Sequence, residues 1–155
     1  MTTDTKTKLD AADAAVFGFF NEIGIIGQLS TALLAKTLPD GVHPSHFSII
    51  NHLARMGDGK TPIRIAGAMQ VTKNTMTHSL RVLEERGFVR VGPNPEDARG
   101  KLVYLTDAGR AFREEAMARV TETFTTIMRP EDRERMMRVM EDLVAIRKHL
   151  DDNRM

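Results

Sequence analysis

Between Thr72 and Gly87 the sequence sets Lys73, Asn74, Thr77, His78 and Arg81 at spacings that a helix gathers within about 140° of arc. Opposite them, Met76, Ser79, Leu80 and Leu83 fall within about 100°, the pattern of a face packed on a core. The outer face carries two cations, an amide, a hydroxyl and an imidazole, and meets no carboxylate until Glu84 and Glu85. Guanidinium, ammonium and amide groups read guanine and adenine edges in a major groove, and a threonine methyl suits thymine. A helix face that meets only solvent carries mixed charge along its whole length, so this one points to duplex DNA. Thr72 stands where an N-cap belongs, and a short helix and tight turn precede it, as in a helix-turn-helix.

A second basic group follows directly. Phe88-Val89-Arg90-Val91 reads as a short strand and Lys101-Leu102-Val103-Tyr104-Leu105 as its return, with Gly92 through Gly100 as a turn-rich loop. Arg90, Arg99 and Lys101 bracket the projecting tip, so the hairpin reads as a wing able to lay an arginine in a minor groove or against phosphates. Asp97, two residues before Arg99, is placed to hold that guanidinium through a charge-assisted hydrogen bond.

Rival chemistries find less support. Ala54-Arg55-Met56-Gly57-Asp58-Gly59-Lys60-Thr61 fits a relaxed phosphate-binding loop, which requires a strand before it and a helix N-terminus after it. A helical stripe precedes this one and Pro62, lacking an N–H, follows, so nucleotide hydrolysis is not expected. His43 and His46 flank Pro44-Ser45 and would need Glu22 or Asp40 to complete a zinc site; capping and surface roles fit them better, and no metal is expected. No nucleophile motif such as Gly-x-Ser-x-Gly occurs, so the chain does not read as an enzyme, and nothing in it requires a cofactor. Met136, Met137 and Met140 repeat at helical spacing and read as core or dimer packing rather than an oxidation sensor.

The elements that must position these groups are legible from periodicity and punctuation. A long helix runs from about Asp10 to Leu38 and stops at Pro39-Asp40-Gly41. A second begins near Pro44 with Phe47, Ile50, Leu53 and Ala54 as its stripe, and ends at Gly57-Asp58-Gly59. Thr61-Pro62 opens a short third helix, Gln70-Val71 turn the chain, and the polar helix follows. After the hairpin, Thr106-Asp107 caps a helix reaching about Met128, and Pro130-Glu131-Asp132 opens a last one. Met136, Met140, Leu143 and Leu150 repeat down one face of that last helix, with Val139 and Ile146 beside them. The fold class is therefore mainly α with a small β-hairpin wing.

Composition agrees once it is divided. The 155 residues carry a net charge of +1, yet residues 60–101 hold 8 basic side chains against 4 acidic, flanked by two mildly acidic ends. Zero cysteines exclude disulfides, zinc ribbons and thiol-based redox sensing. Residues 1–13 lack the basic and apolar regions of a signal peptide. The apolar stretch 14–35 is interrupted by Asn21, Glu22, Gln28, Ser30 and Thr31, which are costly in hydrocarbon, so no membrane partner is expected. A helix apolar on most of its circumference is usually packed on two sides, against its own domain and against another subunit.

The run from Val71 through Val89, the segment Asn94-Pro95-Glu96-Asp97-Ala98-Arg99 and the segment Leu105-Thr106-Asp107-Ala108-Gly109 together resemble the MarR family of winged-helix transcription regulators. Length and helix order agree over nearly the whole chain. The resemblance implies a homodimer held by the first and last helices on a pseudo-palindromic DNA operator, with Lys73, Asn74, Thr75, Thr77 and His78 at the DNA and Arg99 at the wing tip. It also implies a pocket for a small aromatic or anionic effector between the first, second and fifth helices. Two departures stand out: Asn94 occupies a place usually held by Asp, and Lys73-Asn74 replaces the commoner Arg/Ser-type pairing.

The resulting expectation is a cytoplasmic, sequence-specific regulator of transcription, a repressor released by a ligand. Its DNA set comprises Thr72, Lys73, Asn74, Thr75, Thr77, His78, Arg81, Arg99 and Lys101, with Asp97 orienting the wing. Residues 42–106 form the DNA-binding domain, 10–38 with 107–152 the dimerisation region, and 1–9 a flexible N-terminus. The alternative is a winged-helix protein-interaction module that never touches DNA.

Overall fold

The structure, a computed structural model, describes residues 10–154; the segment 1–9, expected to be flexible, lies outside the described residues. The elements are α1 (Ala11–Thr37), α2 (Pro44–Met56), α3 (Pro62–Met69), α4 (Lys73–Glu85), β1 (Val89–Asn94), β2 (Asp97–Leu105), α5 (Asp107–Ile127) and α6 (Pro130–Asp152). The chain divides into two compact units, one ending at Ala118 and the other beginning at Arg119.

The core of the first unit joins α2 to β2. Ile49, Ile50 and Leu53 of α2, Ile65 and Ala66 of α3, and Met76, Leu80 and Leu83 of α4 are buried together with Val89, Val103 and Leu105 of the hairpin. Fully burying an aliphatic side chain of this size stabilises by about 1.5–3 kcal/mol, so these positions fix the outward direction of everything else on α4. Thr61 and Thr72 cap α3 and α4 as their positions predict, each hydroxyl accepting from the main-chain N–H three residues on. Between the two helices Gln70 takes a left-handed conformation with φ 55, and the Val71 amide donates to the Ala66 carbonyl at 3.0 Å, closing a turn of the helix-turn-helix kind.

The hairpin differs from expectation. The segment 92–100, read as a loop, belongs mostly to the two strands: Gly92 faces Leu102, Pro93 faces Lys101 and Asn94 faces Asp97, leaving Pro95-Glu96 as the connection. An irregularity at Pro93/Asn94 absorbs Ala98, Arg99 and Gly100 as extra residues on β2. Side-chain acceptors make this work: Asn94 Oδ1 accepts from the Glu96 amide at 3.0 Å and Asp97 Oδ1 from the Arg99 amide at 2.9 Å.

No residue of α1 is buried, and its large apolar side chains, Phe17 (70% exposed) and Leu29 (67%) among them, face outward. By length and composition α1 would pass for a membrane span. A Cβ placed on Gly18, Gly24 or Gly27 would meet nothing within 4 Å, so these glycines accommodate neither a close helix nor a cavity wall of the first unit.

In the second unit Asp132 accepts from Arg129 at 2.7 and 2.9 Å and from Arg135 at 2.9 Å, and these bonds hold its carboxyl at about 2. The Arg133 guanidinium reaches the Thr125 carbonyl at 2.8 Å across the turn into α6. No residue of α6 is buried; Met137 is 74% exposed, and Met136, Val139, Met140, Val144 and Leu150 are exposed with it.

Candidate nucleic-acid interface

The start of α4 gathers the cationic and amide side chains. Lys73, Asn74, Thr75, Thr77, His78 and Arg81 are all exposed, and Met76, Ser79, Leu80 and Leu83 are buried beneath them, as the periodicity requires. No acidic residue occupies the first turn, so the positive end of the helix dipole adds to Lys73 there. The Thr77 hydroxyl bonds its own helix at the Lys73 carbonyl, 2.9 Å away, which leaves its methyl as the contact group. The Thr72 and Thr75 hydroxyls lie 2.9 Å apart, and Thr72 also accepts from the Thr75 amide at 3.2 Å, so both serve the cap. Arg81 lies 3.4 Å from His78 Nδ1 and 3.8 Å from the Glu85 carboxylate. An exposed pair of that length is worth only a few tenths of a kcal/mol and yields readily to a phosphate.

On the wing, Arg99 and Lys101 are exposed. Asp97 reaches Arg99 through its main-chain amide, whereas a bond to the guanidinium was expected. Asp97 therefore shapes the bulge that carries Arg99 and leaves the side chain clear. Asn94 performs the same kind of turn bonding with a neutral oxygen, which accounts for the tolerance of an amide at this position.

Several functional groups escape a reading along the chain because their partners are set by the fold. The Arg90 guanidinium lies 4.6 Å above the Tyr104 ring. Asp58 Oδ2 accepts from the Leu105 amide at 3.1 Å and from Arg110 at 3.1 Å. Glu84 Oε1 accepts from the Val91 amide at 3.0 Å. The guanidinium of Arg86, the C-cap of α4, bonds the Asp40 carbonyl.

The phosphate-loop geometry is absent from its candidate segment. Gly59 donates its amide to the Val103 carbonyl at 2.8 Å, and the Lys60 carbonyl accepts from the Val103 amide at 2.9 Å, so the segment adds a bridge to β2. His43 and His46 form a helix cap, with the His43 amide donating to His46 Nδ1 at 3.2 Å. Among the described residues no three His, Asp or Glu side chains cluster in a way that could hold a metal.

A sequence profile of the MarR family matches residues 40–100. The chain is similar to the HTH-type transcriptional regulator PecS of Dickeya dadantii (strain 3937), with 30% identity over 139 residues and 84% of each chain covered. Its fold is similar to that of wild-type MarR from E. coli in the apo form, with TM-score 0.68, 23% identity, and 79% of this chain and 94% of that one covered. It is also similar to a Staphylococcus aureus MepR mutant bound to an oligodeoxyribonucleotide, with TM-score 0.57, 21% identity, and 82% and 96% covered. A capped helix docked on its core by Met76, Leu80 and Leu83, a basic hairpin directly after it, and a relative of 30% identity along most of its length converge: the chain belongs to the MarR family of winged-helix transcription regulators.

Proposed function

We propose that the protein is a cytoplasmic, homodimeric repressor whose α4 enters the major groove while the hairpin lies at the adjacent minor groove or its phosphates. The observation that carries this reading is the exposed, cation-bearing start of α4, whose opposite face is locked in the core. In it Lys73, Asn74, Thr77, His78 and Arg81 meet base edges and phosphates, Thr72 and Thr75 hold the helix start, and Arg99 and Lys101 serve the wing shaped by Asp97. Residues 42–106 act as the DNA-binding domain. Residues 10–38 and 107–152 supply the dimer surface, a role supported by the exposed apolar side chains of α1 and of α6. A small effector, as family membership implies, would act by changing the separation of the two recognition helices.

The test is a salt titration of binding to a random-sequence duplex pool by the parent, Lys73→Ala and Arg99→Ala. Each variant is expected to bind more weakly, with the log–log salt slope lowered by about one for each phosphate contact removed. Parent-like binding by both variants would refute the site assignment, and absence of duplex binding by the parent would refute the function. Sequencing of genomic fragments retained by the parent would then identify the operator.

A further inference from the structure

Glu84 is the first carboxylate on the otherwise cationic and polar side of α4, and a negative charge beside a polyanion repels it. Its position is explained by what it holds. Val91 faces Val103 across the hairpin, and the Val103 amide and carbonyl are bonded to Lys60 and Gly59 on the far side of β2. In an antiparallel ladder this makes 91 and 103 a pair whose main-chain groups point away from each other. The Val91 amide therefore lies on the outer edge of β1, and Glu84 Oε1 accepts from it at 3.0 Å.

The root of the wing is fixed by other bonds. The Phe88 amide donates to the Leu83 carbonyl at 2.9 Å, the Thr106 amide to the Phe88 carbonyl at 3.1 Å, and the Thr106 hydroxyl to the Gly87 carbonyl at 2.6 Å. Val91 lies beyond that root, where the strand passes from buried Val89 to exposed Pro93. We propose that Glu84 is a positioning residue for DNA binding, its carboxylate tying the middle of the wing strand to α4 so that Arg99 and the Lys73–Arg81 face engage one duplex in a fixed relation. This role rests on the DNA reading above.

The experiment compares the parent, Glu84→Gln and Glu84→Ala on a duplex selected from a random-sequence pool, by affinity across salt and by hydroxyl-radical footprint. Val91 amide exchange is followed in the free proteins. Glutamine keeps a side-chain oxygen acceptor and removes the repelling charge, so Glu84→Gln is expected to bind at least as tightly as the parent, with Val91 still protected. Glu84→Ala is expected to exchange Val91 faster and to lose about tenfold in affinity, the factor matching one charge-assisted hydrogen bond. Its footprint is expected to lose protection at the wing ends and keep it at the backbone sugars flanking the central major grooves. Alanine binding as tightly as the parent with an unchanged footprint overturns the role while leaving the DNA reading intact. Equal losses in both variants over the whole footprint would mark a general effect on α4 and also overturn it. A parent that protects no duplex refutes the DNA reading itself.

Discussion

His46 is the residue at which pH meets the DNA-binding fold. It is 4% exposed, and its Nδ1 accepts from the His43 amide, so the neutral ring carries its proton on Nε2. Burial, then the positive charges of His43, His78 and Arg86, hold its pKa below 6.5. The unfolded chain therefore takes up more protons than the folded one as the pH falls through 6.5. Stability is full above that value, declines as the solution is acidified, and levels off once the folded pKa is passed. Glutamine at the third position of a helix caps well and does not titrate. The drop in melting temperature between about pH 7.5 and about pH 5.5 is thus expected to be smaller in His46→Gln than in the parent. An equal drop in both would place the acid sensitivity elsewhere.

Among the elements, the contact between the start of α5 and the root of the wing leaves least room. A Cβ on Gly109 would lie 2.1 Å from the Phe88 carbonyl oxygen and 2.8 Å from Leu105 Cδ1. Gly109→Ala must push α5 off the hairpin and is expected to cost about 2 kcal/mol or more in denaturant unfolding. Gly18→Ala, in open space on α1, is expected to leave stability unchanged or raise it by about 0.5–1 kcal/mol, since alanine suits a helix interior better. The helices were legible in the sequence because their information is local: the stripe of Met76, Leu80 and Leu83 and the caps at Thr61 and Thr72 lie within a few residues of what they organise. The hairpin was half legible. Gly92, Pro93 and Gly100 read as loop formers, whereas the pairing of Pro93 with Lys101 is decided across the strands. Asp58 and Leu105 are 47 positions apart, and neither residue type announces the other. The exposed polar and cationic set on α4 was visible because one helix wheel contains it; the bond from the Val91 amide to Glu84 required the fold.

For the whole molecule, the exposed apolar side chains of α1 and of α6 call for a covering surface, and a second copy of the chain is the proposed one. Leu29→Glu places a charge on the α1 stripe and is expected to shift sedimentation from dimer to monomer. Duplex affinity should fall with it, because a monomer engages only one half-site. A dimer of unchanged stability in this variant would remove α1 from the interface.

The bonds around the hairpin have a consequence for solubility. A two-stranded sheet offers outward amides on both flanks, and such flanks recruit strands from other molecules. Here the Val91 amide is taken by Glu84, the Val103 amide by Lys60 and the Leu105 amide by Asp58. These three outward amides are thereby occupied and are not open to a strand from another molecule.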